Sequence, residues 1–189
     1  DLIEFIDKVI ETGVDSLKIE GRMKSIYYNS TVVKQYKRAL DSYYSGNYKY
    51  NPNWLEELKT ISHRQYSNGF YLGPTSEKDQ NYETGLSYSQ TYRLIANVLD
   101  KVDTNKYKIQ IRNKAFATDT FELIRPEGDP IPFKVANFLN TKNDEFQDEV
   151  NPNTIAIIET DVEMGPMDLI RMKLPLGVSD SDMDTSDLG

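Results

Sequence analysis

The chain has no cysteine among its 189 residues. That absence rules out disulfides, thiolate catalysis and Cys-ligated zinc or iron–sulfur clusters in this stretch. Histidine occurs once, at His63. One imidazole with no thiolate beside it cannot complete a metal site, so no metal is expected. No apolar run approaches the roughly 18 residues that a membrane span requires, and no membrane partner is expected. Phosphate-loop, dinucleotide-binding and paired-histidine metalloprotease patterns do not occur. There is no initiator Met, basic leader or signal-like apolar segment. The chain opens inside a helical pattern, and the expectation is a cytoplasmic piece cut from a longer polypeptide.

Charge is weighted to one sign. Thirty Asp and Glu face 22 Lys and Arg, a net charge of −8, which argues against a protein that coats nucleic acid generally. The balance is uneven. Residues 1–75 hold ten basic and nine acidic side chains, whereas the last eleven residues hold four Asp and nothing basic. A hydrophobic fraction of 38% is enough for a packed core.

The first part of the chain reads as helical. Leu2, Phe5, Ile6, Val9 and Ile10 share a helical face, and Gly13 follows as a stop. Residues 16–20, Ser-Leu-Lys-Ile-Glu, read as a short strand. A long helix is predicted over residues 25–45, N-capped by Ser25, ended by Gly46 and striped by Val32, Tyr36, Leu40 and Tyr43. A third begins near Asn51-Pro52-Asn53, with Asn53 and Glu56 at capping-box spacing and Trp54, Leu55, Leu58 and Ile61 as its buried face. One strand cannot make a sheet, so the expectation is that its partners lie upstream in the parent protein.

Residues 63–89 lose this periodicity, and 76–89 are expected to be a linker. From about residue 90 the period becomes two. Tyr107, Ile109 and Ile111 alternate with Lys106, Lys108, Gln110 and Arg112. Phe121 and Leu123, then Ile131, Phe133 and Val135, flank a turn at Pro126-Glu127-Gly128-Asp129. Residues 155–158 and 168–172 complete about six short strands, a small antiparallel barrel or sandwich over 90–176. Residues 177–189 are expected to be a disordered acidic tail. Their Asp180-x-Asp182-x-Asp184 imitates the opening of a calcium loop, but the Gly and Glu that such a loop needs are missing.

Two motifs carry a resemblance. Gly13-Val14-Asp15-Ser16-Leu17-Lys18-Ile19-Glu20-Gly21-Arg22-Met23-Lys24-Ser25 resembles the end of the core of the collagenase-like peptidases of family U32. Ser62-His63-Arg64-Gln65-Tyr66, with Gly69-Phe70-Tyr71-Leu72-Gly73 after it, resembles that family's next segment, in the same order. The resemblance implies an α+β chain. Residues 1–75 would be the truncated helix–strand–helix end of a TIM-barrel-like catalytic domain. Residues 90–176 would be a β-barrel similar to the second domain of elongation factor Tu. Some members of the family go by the name of proteases or collagenases. Others act in prephenate-dependent hydroxylation of a tRNA wobble uridine or of a ribosomal RNA cytidine. The family's Cys-containing motif lies upstream, so any iron–sulfur cluster belongs to the parent and no cofactor to this fragment.

Three groups of side chains are candidate sites. Lys18, Glu20 and Arg22 would rim an active site at a strand's end, with Glu20 as base or anchor and Arg22 as a fork for a carboxylate or phosphate; the plainer alternative is a charged cluster that orders the turn. His63, Arg64 and Tyr66 could contact an anionic or aromatic ligand, but a histidine placed against the end of the third helix is the favoured reading. Tyr66, Phe70 and Tyr71 read as an aromatic plug. Lys106, Lys108, Arg112 and Lys114 fall on one strand face and could meet an RNA backbone, with Tyr88 or Tyr92 stacking; a solvated edge is the favoured reading. The expected role is an accessory region that positions a protein or RNA substrate and has no activity alone. The alternatives are part of an RNA hydroxylation enzyme, with the barrel on RNA, and a structural or oligomerisation module. The oligomeric state is not predicted.

Overall fold

The computed structural model describes residues 1–63, 66–71, 73 and 90–175. The expected linker at 76–89, the acidic tail with its calcium-loop imitation, Arg64 and Tyr88 all lie outside them. The chain divides into two compact units, Asp1–Thr91 and Tyr92–Gly177. No helix among the described residues is long and apolar enough to cross a membrane.

The first unit is helical. A 3-10 turn at Ile3–Phe5 leads into α1 (Ile6–Glu11), and α2 (Ile26–Tyr44) and α3 (Pro52–Leu58) follow. Local chemistry sets the ends. The Ser25 hydroxyl accepts the Tyr28 N–H at 3.1 Å. Gly13 and Gly46 take φ of +83° and +82° after α1 and α2, a conformation that costs glycine no Cβ clash. The cap of α3 is Asn51, which accepts the Asn53 N–H at 3.0 Å, and not Asn53. Pro52 belongs in the first turn because its φ is fixed and it has no N–H to satisfy, which leaves Asn51 just outside the helix. Trp54, Leu58 and Ile61 are buried. The face that α2 buries is more polar than expected: Tyr27, Thr31, Val32, Lys34, Gln35 and Ala39.

The strand expected at residues 16–20 does not form. The segment has no ladder partner among the described residues, and Leu17 and Ile19 are each 40% exposed. Alternation along one segment is a pattern, but a strand is a pairing, and the described residues of this unit hold no strand to pair with.

The second unit is β. It holds ten strands rather than about six: β1 (Tyr92–Asp103), β2 (Lys106–Ile111), β3 (Ala115–Phe116), β4 (Phe121–Ile124), β5 (Ile131–Phe133), β6 (Phe138–Asn140), β7 (Glu145–Gln147), β8 (Glu149–Val150), β9 (Ile155–Glu159) and β10 (Leu169–Lys173). Eight form one antiparallel sheet in the order β5-β4-β10-β1-β2-β9-β6-β7, and β3 pairs with β8. Strands β4 and β6 are five places apart, about 24 Å in a flat sheet at roughly 4.8 Å per strand. Yet the Phe121 and Phe138 rings meet edge to face with centroids 6.3 Å apart, and Phe133 lies 5.7 Å from Phe121. The sheet is therefore strongly curled around one core, which includes Ile95, Tyr107, Ile109, Phe121, Leu123, Phe138, Ala156 and Ile170. A bulge in β1 between Leu94 and Ala96 helps the turn, with the Ile95 carbonyl accepting the Arg112 N–H at 2.7 Å.

Candidate functional site

One side of α2 brings Tyr28, Val32 and Tyr36 into line at steps of four residues, and Lys24 enters just before the helix. Together with Leu58 at the end of α3 and Ser62, His63, Tyr66 and Ser67 after it, they line a cavity of about 500 Å³, completed by Asp1. That size suits one small organic molecule. The His63 and Tyr66 rings stack at 4.2 Å with 8° between their planes. The Tyr66 hydroxyl donates to the Leu58 carbonyl, at the end of α3, at 2.7 Å. The Tyr36 hydroxyl donates to the Asp1 carboxylate at 2.6 Å and accepts the Leu2 N–H at 3.0 Å. The Lys24 ammonium sits 5.2 Å from the centre of the Tyr28 ring.

Two of these phenols are held neutral. Burial pushes Tyr66 well above the ordinary tyrosine value, and the nearby Tyr28 and Tyr36 add to the shift. Burial also raises Tyr36, against the opposing effect of the Leu2 N–H. With their hydroxyls already committed, both are poor proton-transfer groups near neutral pH. What these two side chains offer the cavity is ring faces in fixed positions. The sign of their effect on stability is fixed as well. A tyrosine whose folded pKa exceeds its unfolded value near 10 contributes stability that is complete below that value and is lost as pH rises past it. Thermal midpoints should fall above about pH 10, and the fall should be shallower in Tyr66→Phe. Circular-dichroism melts across that range check this, and an equally steep fall in the variant would refute it.

The other expected sites are placed differently. Lys18 and Glu20 pair at 2.8 Å, but their side chains are 85% and 71% exposed. Neither lines the cavity, nor does the exposed Arg22. The basic stripe is not one strand face, because β2 ends at Ile111 and Arg112 and Lys114 lie beyond it. Acidic and polar groups accompany it. Lys106 stands opposite Asp103 and Glu159, and Lys108 opposite Asp100. Lys114 pairs with Glu149 at 2.8 Å, and the Asn97 amide, turned so that its oxygen faces Arg112, accepts from the guanidinium twice, at 3.0 and 3.1 Å. The aromatic plug reduces to Tyr66, since Phe70 is 79% exposed and Tyr71 38%.

Sequence reading missed Lys24, Tyr28 and Tyr36 as cavity residues, although the four-residue spacing along α2 was there to be seen. It also missed a buried ion pair in the β unit. Arg171 is 2% exposed and faces Glu122 across the β10–β4 ladder, with two guanidinium nitrogens 2.8 and 2.9 Å from Oε2. The Tyr92 ring lies 4.1 Å from the Arg171 guanidinium carbon, and its hydroxyl donates to Glu122 Oε1 at 3.3 Å.

Comparison with known proteins reaches both units. Tested against known protein families, residues 1–81 match peptidase family U32, and residues 90–171 match the peptidase family U32 C-terminal domain. The tRNA hydroxylation protein P1 of Bacillus subtilis is 33% identical over 185 residues, 96% of this chain and 40% of the relative. The tRNA hydroxylation protein P of Haemophilus influenzae is 32% identical over 143 residues, 75% of this chain and 31% of the relative. A collagenase of Porphyromonas gingivalis is 37% identical over 93 residues, 48% of this chain and 26% of the relative. The chain thus spans less than half the length of each of these relatives. With both units matched by the same family, and both motifs inside the first match, the chain belongs to peptidase family U32.

Proposed function

We propose that this chain is the substrate-positioning end of a tRNA hydroxylation protein, without catalytic activity of its own. The observation that carries the reading is the likeness to the Bacillus subtilis tRNA hydroxylation protein P1, which runs through 96% of the chain and so includes both units. The collagenase likeness reaches only 48%. On this reading the helical unit is the end of a TIM-barrel-like domain. The curled sheet is a small barrel like the second domain of elongation factor Tu, and the whole works in the cytoplasm on RNA. Glu20 and Arg22 would then stand at the rim of the parent's active site. An iron–sulfur cluster does not fit the residues present, which include no cysteine and one histidine, so any such cluster would be held outside this chain.

The test is a direct comparison of tRNA with a collagen peptide, each titrated against the purified chain. tRNA is expected to bind weakly and with a salt dependence, and the collagen peptide not to bind. Each phosphate neutralised contributes roughly 0.7–0.9 to the slope of log K against log salt. Changing Lys106 and Lys108 together to Ala should flatten that slope by at most about 1.5, and by less if Asp100, Asp103 and Glu159 already neutralise them. Gelatin and casein should survive incubation with the chain. Collagen-peptide binding without tRNA binding, or cleavage abolished by a point mutation in this chain, would favour the peptidase reading instead.

A further inference from the structure

We propose that the cavity beside α2 takes a single unstacked nucleotide of the RNA substrate, with its base against the aromatic rings and its phosphate at Lys24. The proposal rests on the RNA reading above and assigns that reading a place. Four observations lead to it. The volume, about 500 Å³, suits one nucleotide and is too small for a base pair. The lining offers flat faces at two places: the parallel His63–Tyr66 stack and the Tyr28 ring on α2. A base stacks on such faces whatever its sequence. The hydroxyls of Tyr36 and Tyr66 are engaged by Asp1, Leu2 and Leu58, so these side chains are fixed before a ligand arrives. A fixed ring loses less entropy on binding than a mobile one. Finally, Lys24 is the basic side chain that lines the cavity, and it stands over the Tyr28 ring, which places a cation within reach of a stacked nucleotide's phosphate.

Other ligand classes fit less well. A purely apolar ligand would make no use of the Lys24 ammonium in the wall. A divalent cation has no cluster of acidic or imidazole ligands among the described residues.

His63 makes the test clean, because the chain has one histidine and therefore one set of imidazole proton signals. Uridine monophosphate and uridine are titrated into the full chain and the His63 Hε1 resonance is followed, while tRNA binding is measured in parallel by fluorescence anisotropy. Stacking should move the Hε1 signal upfield in a saturable manner with both small ligands. Lys24→Gln should weaken the monophosphate by about tenfold and leave uridine unchanged, as expected for one lost charge-assisted contact. Tyr28→Leu should weaken both. Unchanged dispersion of the remaining resonances shows that each variant is folded. If tRNA binds while Hε1 stays in place and Lys24→Gln and Tyr28→Leu bind tRNA normally, the cavity is not the nucleotide site, and the RNA reading survives without it. If neither tRNA nor the small ligands bind, both fall. Equal weakening of uridine and its monophosphate by Lys24→Gln would overturn the phosphate assignment.

Discussion

Glu122→Ala is expected to destabilise the β unit by about 3 kcal/mol. The cost comes from what is left behind. Arg171 is 2% exposed and cannot shed its charge, and its two short contacts go to Glu122. Deleting the carboxylate takes from this buried cation the anion it faces across the ladder, and breaking a buried pair costs about 3–5 kcal/mol; the low end applies because the Glu122 side chain is 26% exposed. Tyr92 softens the loss through its ring face but cannot replace an anion. For a unit of this size the melting midpoint should fall by at least about 12 °C. Trp54, the single tryptophan, lies in the helical unit. The β unit is followed by amide exchange on β2 and β10, and Trp54 fluorescence serves as a control that the helical unit is intact. Arg171→Met combined with Glu122→Leu should recover most of the stability, since an apolar pair of similar volume carries no stranded charge. If Glu122→Ala melts within a few degrees of the parent chain, the pair is not the constraint described here.

Phe121→Ala is expected to cost more, about 3–5 kcal/mol. The ring is 2% exposed and packs against Phe133 on β5 and Phe138 on β6. Those strands stand near opposite ends of the sheet order, so the ring fills the space that the curl encloses. Removing it leaves a cavity that short strands pinned by their ladders cannot close. The sharper test is a double-mutant cycle with Phe138→Leu. Edge-to-face contact predicts a coupling of about 0.5–1.5 kcal/mol, measured by denaturant unfolding. Strict additivity would mean that the two ends of the sheet do not meet.

The sequence by itself determined the features that are settled within one turn of backbone. Ser25 and Gly46 bound α2, and Gly13 ends α1, because a hydroxyl cap and a left-handed glycine act on neighbouring N–H and C=O groups. The alternation of Tyr107, Ile109 and Ile111 marks the core face of β2 for a similar reason, since side chains on extended backbone alternate whatever the partner. The two U32 motifs were legible as residues, and the family followed from them.

Tertiary structure decided whatever depends on a partner far along the chain. Residues 16–20 carry a strand's alternation but have no ladder partner among the described residues, and alternation without a partner makes no strand. Arg171 sits in Leu-Ile-Arg-Met-Lys, where its position suggests an exposed cation. It is buried because Glu122, 49 residues away, meets it across a ladder and Tyr92 covers it. The basic stripe failed as a single face because β2 stops at Ile111, where the chain turns to reach the Ile95 carbonyl of the β1 bulge. The cavity was hidden for the same reason. Tyr28 and Tyr36 lie 35 and 27 residues from His63, and the packing of α2 against α3 brings them together with His63 and Tyr66.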